Sequence, residues 1–544
     1  MNLKLKNWTA PLFYSVLAFT LSTFLLRFND YITDDSVSYI RMGLNFFKGE
    51  GIRINAGEPY PFYPAYPPFY PIMIGLVNLF LKNPEFSGQF ISMVAFSLTI
   101  IPLFFLSEAV YSRTAAHWVS LLFSTHGFLL IYSNLILTEP LFTFLLLNEL
   151  FLMHETLQDK IGNPALGLLL GAVSGFAYLT RPEGLLFYAA GTLVTFFLSS
   201  KPFTFKVPFH LFSLFAFLAL MFPYHHFLHK NIKSLSSMQF SAGIAPELIR
   251  RQLDLSNPGR YLEVKKIDWG ISSDKKRFRI EELAEKFDFL ATLRADHFAL
   301  LRSIFPTLMW RLLELNRYLF CGLGFFFIGA SFFGVPWNGP RKKSELLLLS
   351  FLLPFFCHLI IFFVSRRLLF TFPLFLLWMG QGIECFRLWT RNTFRLNPRK
   401  SVTAVSVIFL FFGFSSAWYL HKNLSQPDFP REHKEMGLWM KEHIPRIREK
   451  KVASGRPFIG YYSEAKFIDL PYVEHFEDLL AFLQYQKTGF FVVGEDLDRP
   501  LWDAYQFLLD EKEPPPPGIV RKYVQEGRKK LILYEILHPW VAPR

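Results

Sequence analysis

The sequence predicts a mostly α-helical protein that crosses the membrane many times and carries a small α/β domain at its C-terminal end. Of its 544 residues, 51% are hydrophobic and 18% are aromatic, and the mean hydropathy is +0.25. Apolar runs of roughly 20 residues recur up to about residue 420, and this length crosses a hydrocarbon core of about 30 Å. The composition is too apolar for several soluble domains of ordinary type.

About eleven apolar segments with polar breaks between them are predicted to span the membrane. In the first, Lys4 and Lys6 precede an apolar run without a small-residue cleavage site after it, which predicts an uncleaved span. The predicted spans begin near Ala10, Gly88, Thr114, Thr138, Ala165, Gly184, Val207, Arg317, Glu345, Leu368 and Val402.

The distribution of charge along the chain predicts the orientation of the protein in the membrane. The formal net charge is +13, but residues 421–544 contain nineteen Lys+Arg and nineteen Asp+Glu, so the excess lies in the apolar part. This favours a topology signal over nucleic-acid binding, because cytoplasmic loops are enriched in Lys and Arg. With the N-terminus inside, every short cytoplasmic loop is positive: the charged residues are Arg113, Lys160, Lys201, Lys206, Arg341, Lys342, Lys343, Arg387, Arg391, Arg395, Arg399 and Lys400.

The same orientation places most polar mass outside: loops 29–87 and 229–316, and the tail 421–544. We therefore predict a membrane domain over residues 1–420 and an external domain over residues 421–544.

The external loops hold further predicted elements. Helical spacing predicts a helix over Ser36–Lys48. Residues Pro59–Pro71 are too rich in proline for a helix interior, and Ile72–Leu81 is too short to span and is predicted to be re-entrant or interfacial. Two amphipathic helices are expected at Pro246–Leu255 and Ile280–Ser303.

The tail is predicted to alternate helices and strands. Helices are expected at Arg431–His443 and Glu474–Gln484, and strands at Phe458–Tyr462, Phe490–Val493, Val520–Tyr523 and Leu531–Leu537.

Ionisable residues cluster at the predicted external ends of the spans. A transporter tends to keep such groups near the bilayer midplane. Carboxylates at one membrane face can accept a proton from a nucleophile, and arginines can hold phosphate oxygens bidentately. This pattern is typical of a site for an anionic lipid head group. The residues are Asp34, Asp35, Arg41, Glu139, Arg181, Glu183, Arg366 and Arg367.

Structural explanations remain open for some of these residues. Asp34 and Asp35 precede a predicted helix and are good capping residues. Glu139 precedes Pro140 and is consistent with a helix start, and Arg181 and Glu183 are consistent with a local interfacial pair. The Arg366–Arg367 pair is more informative because it lies outside, against the usual distribution of positive charge.

Five motifs resemble those of the GT-C glycosyltransferases, and look closest to the bacterial branch related to protein O-mannosyltransferases and aminoarabinose transferases. The resemblance covers about residues 1–420, in the order found in the family. The motifs are Asp-Asp-Ser-Val-Ser-Tyr at 34–39, Tyr-Pro-Pro-Phe-Tyr-Pro at 66–71, Leu-Thr-Glu-Pro-Leu-Phe at 137–142, Leu-Thr-Arg-Pro-Glu-Gly at 179–184 and Arg-Arg-Leu-Leu-Phe near 367.

The resemblance implies an enzyme that takes a sugar from a polyprenyl-phosphate donor and transfers it, usually with inversion, at the outer face of a bacterial inner membrane. Matching on Tyr39 gives Asp35 the position of the family's catalytic base, with Asp34 as its neighbour. Ser36 stands where the family often has Glu, and this departure argues against a metal-binding role at that position.

For the leaving phosphate, Arg366 or Arg367 is the first choice and Arg181 the second. The other active-site candidates are Glu139, Glu183, Tyr39 and Arg41.

Three alternatives remain at this stage. The protein could be a flippase or transporter of lipid-linked sugar, or a ligase that uses a polyprenyl-diphosphate donor, or its tail could be a binding module that anchors an acceptor polymer. No cofactor is certain and a divalent cation is possible. The expected partners are the lipid bilayer, the lipid-linked donor and an acceptor of unspecified glycan, lipid or protein chemistry, without nucleic acid.

Overall fold

The computed structural model describes residues 8–28, 32–54, 66–161, 163–231, 309, 313, 315–320, 322–354, 366, 369–425, 431–470, 476–495 and 505–537. These residues form two compact units. The membrane unit comprises the described parts of 1–30, 39–244 and 295–426, and the tail unit comprises those of 31–38 and 427–544.

The membrane unit is built from α-helices, and α2 begins in the tail unit and continues into the membrane unit. The helices are α1 (Thr9–Leu25), α2 (Asp34–Phe47), α3 (Phe69–Leu81), α4 (Pro84–Leu98), α5 (Ile100–Val110), α6 (Arg113–Thr125), α7 (Gly127–Tyr132), α8 (Thr138–Leu157), α9 (Gly167–Thr180), α10 (Gly184–Leu198), α11 (Phe203–Asn231), α12 (Leu323–Gly334), α13 (Gly339–Ser350), α14 (Phe372–Thr393) and α15 (Pro398–Ser425).

Three helical segments among the described residues are long and apolar enough to cross a membrane by length and composition: Pro84–Val110, Phe203–Phe227 and Pro398–Leu424. Most of the predicted span starts lie within the helices of this unit. The predicted helix at Ser36–Lys48 corresponds to α2, and the short helix after the proline-rich segment corresponds to α3. The predicted helices at Pro246–Leu255 and Ile280–Ser303 lie outside the described residues.

Glycines let α2 and α3 approach closely in the membrane unit. A Cβ atom on Gly43 would collide with the backbone oxygen of Pro71, and one on Gly75 would lie 2.5 Å from both the oxygen of Gly43 and the Phe47 ring. Small residues at a helix crossing allow backbones to pack against each other. This packing fixes the position of the C-terminal part of α2.

The tail unit contains a five-stranded mixed sheet. Its elements are α16 (Glu432–His443), β1 (Lys451–Ser454), α17 (Pro457–Tyr462), β2 (Lys466–Asp469), α18 (Phe476–Tyr485), β3 (Phe490–Gly494), β4 (Ile519–Gln525) and β5 (Leu531–Ile536). The strand order is β2-β1-β3-β5-β4. Strands β2, β1 and β3 are parallel, whereas β5 runs antiparallel to β3 and to β4.

Both faces of this sheet are covered. Alternate residues of β3 point into two separate hydrophobic clusters: Phe491 and Val493 into one, and Phe490 and Val492 into the other. A strand that is buried on both faces carries a continuous apolar run rather than an alternating one. This explains why β3 was recognisable in the sequence.

The predicted strand at Phe458–Tyr462 is wrong, because these residues form α17. Pro457 occupies the first turn, where proline is favoured, and the buried side chains of Phe458, Ile459 and Tyr462 recur at helical spacing. Two parallel strands that the sequence reasoning missed flank this helix, β1 and β2. The helices predicted at the start of the tail and before β3 correspond to α16 and α18, and β4 and β5 were also predicted.

Candidate active site

Helix α2, which carries the two candidate aspartates, is capped by the residue before them. The N–H of Ser36 donates to Thr33 Oγ1 at 3.2 Å, and the N–H of Thr33 donates to Ser36 Oγ at 2.9 Å. This reciprocal arrangement is a capping box in which serine replaces the usual glutamate. The interpretation of Asp34 and Asp35 as the capping pair is therefore wrong: both lie within the first helical turn. Ser36, fully buried, is committed to the cap.

Asp34 is paired with an arginine of the tail unit. Arg456 Nη1 lies 2.7 Å from Asp34 Oδ2. The other carboxylate oxygen, Oδ1, is buried without a hydrogen-bond partner among the described residues. Burial raises the pKa of the Asp34 carboxyl above its ordinary value, and the charge and hydrogen bond of Arg456 oppose this rise. The Arg456 guanidinium thus favours the ionised form of Asp34 against the effect of burial.

Asp35 and Tyr39 lie one turn apart on α2, on the same helix face. The Tyr39 ring is buried and meets the rings of Tyr66 and Tyr70 edge-on, with centroids 5.0 and 5.4 Å away. Tyr70 is itself fixed to α4, since its hydroxyl lies 2.9 Å from Ser92 Oγ. Two tyrosines of the Tyr-Pro-Pro-Phe-Tyr-Pro motif therefore pack around Tyr39, which lies four residues after Asp35.

Glu139 is the centre of a charged cluster in the membrane unit. Its side chain is only 2% exposed, and Arg181 Nη1 donates to Glu139 Oε1 at 3.0 Å. Arg366 Nε lies 3.7 Å from the same oxygen. Arg181 also donates through Nη2 to Glu183 at 3.0 Å and through Nη1 to Thr138 Oγ1 at 3.1 Å. The structure thus brings together four of the predicted site residues.

Helix ends position this cluster. Glu139 lies in the first turn of α8, Arg181 follows the end of α9, and Glu183 immediately precedes α10. The Arg181 guanidinium also lies over the rings of Phe142 and Phe370, at 5.9 and 5.8 Å from their centroids. Such aromatic contacts stabilise a partly desolvated cation.

The two arginines differ in how exposed their side chains are. Arg181 is held by two carboxylates and a hydroxyl, whereas the Arg366 side chain is 31% exposed. Two arginines and two glutamates give the cluster a formal charge of zero. An anionic ligand would therefore add a negative charge to a balanced site, and Arg366 is the more accessible donor for it.

Two predicted residues remain to be placed. Arg41 lies on α2, two turns after Asp34 and partly buried. Arg367 lies outside the described residues. In the part of the chain that the structure describes, no group of three or more His, Cys, Asp or Glu side chains is arranged to hold a metal ion.

Three residues that contact the predicted site residues were not predicted from the sequence. Thr33 and Thr138 left a recognisable signal, because each directly precedes an acidic residue at a helix start. Arg456 left none, since it is 422 residues from Asp34 along the chain.

A family model matches part of the membrane unit. Residues 65–226 match the model for dolichyl-phosphate-mannose-protein mannosyltransferase. The matched segment includes Glu139, Arg181 and Glu183, but neither Asp34 nor Asp35.

Solved structures share the fold. ArnT from Cupriavidus metallidurans, bound to undecaprenyl phosphate, aligns over 97% of this chain and 98% of its own with a TM-score of 0.57 at 12% identity. The oligosaccharyltransferase of Archaeoglobus fulgidus, in complex with zinc and sulfate, aligns over 88% of this chain and 67% of its own with a TM-score of 0.57 at 13% identity. The chain has the GT-C glycosyltransferase fold.

The GT-C fold was expected from the five motifs, and this expectation is confirmed. The archaeal oligosaccharyltransferase AglB from Archaeoglobus fulgidus, in complex with an inhibitory peptide and a dolichol-phosphate, aligns with a TM-score of 0.54 at 12% identity over 90% of this chain and 70% of its own. No curated protein matches this chain. The family match and the shared fold together support a GT-C glycosyltransferase.

Proposed function

We propose that this GT-C protein is an inverting glycosyltransferase that moves a sugar from a polyprenyl-phosphate donor to an acceptor hydroxyl at the external face of a bacterial inner membrane. The observation that carries the proposal is the pair of carboxylates in the first turn of a helix that is capped without them. Two GT-C relatives support the donor class, because one is bound to undecaprenyl phosphate and another to a dolichol-phosphate.

In the proposed reaction Asp35 is the general base. The acceptor oxygen attacks the anomeric carbon, its proton passes to the Asp35 carboxylate, and the bond from the anomeric carbon to the phosphate oxygen breaks. The electron pair of that bond leaves with the polyprenyl phosphate, and the anomeric configuration inverts. Asp35 is assigned this role rather than Asp34 because it lies four residues before Tyr39, the spacing on which the family resemblance rests.

The leaving phosphate is proposed to bind Arg366, with Arg181 as a second cation. Arg366 is the more exposed of the two, whereas Arg181 is fixed by Glu139 and Glu183. Fixed positive charge near the bond that breaks stabilises the charge that develops on the phosphate oxygen. In this proposal Glu139 and Glu183 hold the guanidinium groups and do not take part in proton transfer.

The external location of this site is part of the proposal. It is supported by the positive charges of the loops between spans, which predict a cytoplasmic N-terminus and external loops at 29–87 and 229–316. The division into a membrane domain over 1–420 and an external domain over 421–544 is proposed on the same basis.

The test is sugar transfer by the purified protein with Asp35→Asn. Loss of a general base is expected to lower kcat by at least about 100-fold, while binding of the polyprenyl-phosphate donor is retained. Asp159→Asn is the matched control, because Asp159 lies in the loop after α8, far from the proposed base along the chain. Unchanged transfer by a folded Asp35→Asn protein would show that Asp35 is not the base.

A further inference from the structure

Arg456 lies at a defined position of the tail sheet. It follows β1 by two residues and precedes α17, and its backbone oxygen accepts a hydrogen bond from Ser454 Oγ at 2.7 Å. The loop that carries the guanidinium is therefore fixed at both ends. From this loop Arg456 Nη1 reaches Asp34 Oδ2 at 2.7 Å.

The topology makes this loop a natural place for a functional residue. Strand β1 lies between β2 and β3 and is parallel to both. The chain leaves β1 through α17 to β2 on one side, and then returns through α18 to β3 on the other side. In open α/β sheets, the carboxyl end of a strand at such a reversal is where ligands and functional side chains gather. Arg456 occupies that end of β1.

The charged groups around Asp34 determine what the ion pair with Arg456 does. The groups that act on Asp34 are Arg456 and His433, which favour its anionic form, and Asp35, which disfavours it. Two adjacent carboxylates resist double ionisation. Arg456 forms the ion pair with Asp34, so it compensates the repulsion between the two aspartates.

We propose that Arg456 is a positioning residue for the transfer reaction: it holds Asp34 as an oriented anion, so that the proton of the acceptor goes to Asp35. The inference rests on the proposed function of Asp35. The guanidinium occupies Asp34 Oδ2, so that this oxygen does not compete for the acceptor proton. The tail unit thus contributes a side chain to the catalytic carboxylate pair and is more than an acceptor anchor.

The experiment compares the pH dependence of sugar transfer in the full-length protein and its variants. Arg456→Gln is expected to raise the pKa of Asp34 further, because an opposing positive charge is lost. The acidic limb of the kcat profile should then move up by about one pH unit, equal to about tenfold lower activity on that limb. Arg456→Lys keeps the charge and is expected to restore most of the profile.

Arg448→Gln is the matched control. Arg448 also forms an ion pair with a carboxylate of the tail unit, Glu464, but its side chain is 72% exposed. This variant is expected to leave the pH profile unchanged.

A double-mutant cycle with Asp34→Asn separates positioning from folding. If Arg456 acts through Asp34, adding Arg456→Gln to the Asp34→Asn protein should lower kcat by less than a further factor of about two. Equal losses from Arg456→Gln in both backgrounds, or an unmoved acidic limb, would overturn the inference. If Asp35→Asn keeps transfer while the Arg456–Asp34 coupling persists, the base assignment fails and the pairing survives.

Discussion

At the scale of single residues, the chemistry of this protein depends on how identical side chains are partnered. Asp34 and Asp35 are adjacent, yet Asp34 accepts a hydrogen bond from a guanidinium of the tail unit. Likewise, Arg181 is enclosed by carboxylates and aromatic rings, whereas Arg366 keeps a larger exposed fraction. In the proposed function, the environment and not the residue type distinguishes the base from its neighbour and the phosphate ligand from the structural cation.

Glu139 offers a test of the charged cluster. Glu139→Gln is expected to lower the free energy of unfolding by about 2 kcal/mol, because it leaves the buried Arg181 guanidinium with only part of its compensation. The measurement is thermal or chemical unfolding of the purified protein in detergent.

The control for Glu139 is an exposed pair of the same unit. Glu108 binds Arg113 at 3.1 Å with side chains 27% and 44% exposed, so Glu108→Gln is expected to cost less than about 1 kcal/mol. An equal effect of the two substitutions would contradict the structural role of Glu139.

The sequence predicted the identities of most charged residues in the site and the local pair of Arg181 and Glu183, but not the contacts between residues distant along the chain. Asp34, Asp35, Glu139 and Arg181 stood out because ionisable groups are costly near apolar segments. The contact from Arg456 could not be predicted, since strand β1 before it has only four residues and was not recognised. Long-range pairing of this kind depends on tertiary structure that no local pattern encodes.

At the scale of elements, the close crossing of α2 and α3 fixes the helix that carries the aspartates. Gly43→Ala would place a methyl group against the backbone oxygen of Pro71. Such overpacking costs about 1–3 kcal/mol and outweighs the gain of about 1 kcal/mol from alanine in a helix. We expect lower stability and lower transfer activity together, measured by unfolding and by kcat.

Gly329→Ala is the counterpart of this substitution. Gly329 lies within α12, and an added Cβ would meet nothing within 4 Å. It is therefore expected to be neutral or to stabilise the protein by up to about 1 kcal/mol. Identical behaviour of the two glycine variants would exclude the close crossing as the cause.

Elements were predictable where their apolar pattern was long. The membrane helices and the buried strand β3 carry such patterns, whereas β1 and β2 are four residues each and both begin with lysine. Aromatic residues at Phe458–Tyr462 favoured a strand, but Pro457 at the start and burial at helical spacing produced a helix. Local β-propensity was overridden there by packing on the sheet.

At the scale of the whole molecule, the distribution of positive charge predicts which loops face the cytoplasm. Cysteines can test this by labelling, after the native Cys321, Cys357 and Cys385 are replaced by serine. Lys512→Cys, exposed in the tail, is expected to react with a membrane-impermeant maleimide in intact spheroplasts. Arg395→Cys, exposed after α14, is expected to react only after detergent is added.

Inverted membrane vesicles provide the control for this labelling, because the accessible face is exchanged. There, position 395 should react and position 512 should be protected. The opposite pattern in spheroplasts and vesicles would reverse the proposed orientation and move the carboxylate pair to the cytoplasmic face.

The cap of α2 also bears on how such enzymes diverge. Since Thr33 and Ser36 hold the helix start between themselves, the cap itself places no demand on a carboxylate at positions 34 and 35. Selection that retains the two aspartates then acts through the Arg456 ion pair and the proposed chemistry, and not through the cap. A descendant that loses the reaction can lose Asp35 and keep its helix cap, while one that changes its sugar or acceptor is free to alter the helix face around the pair.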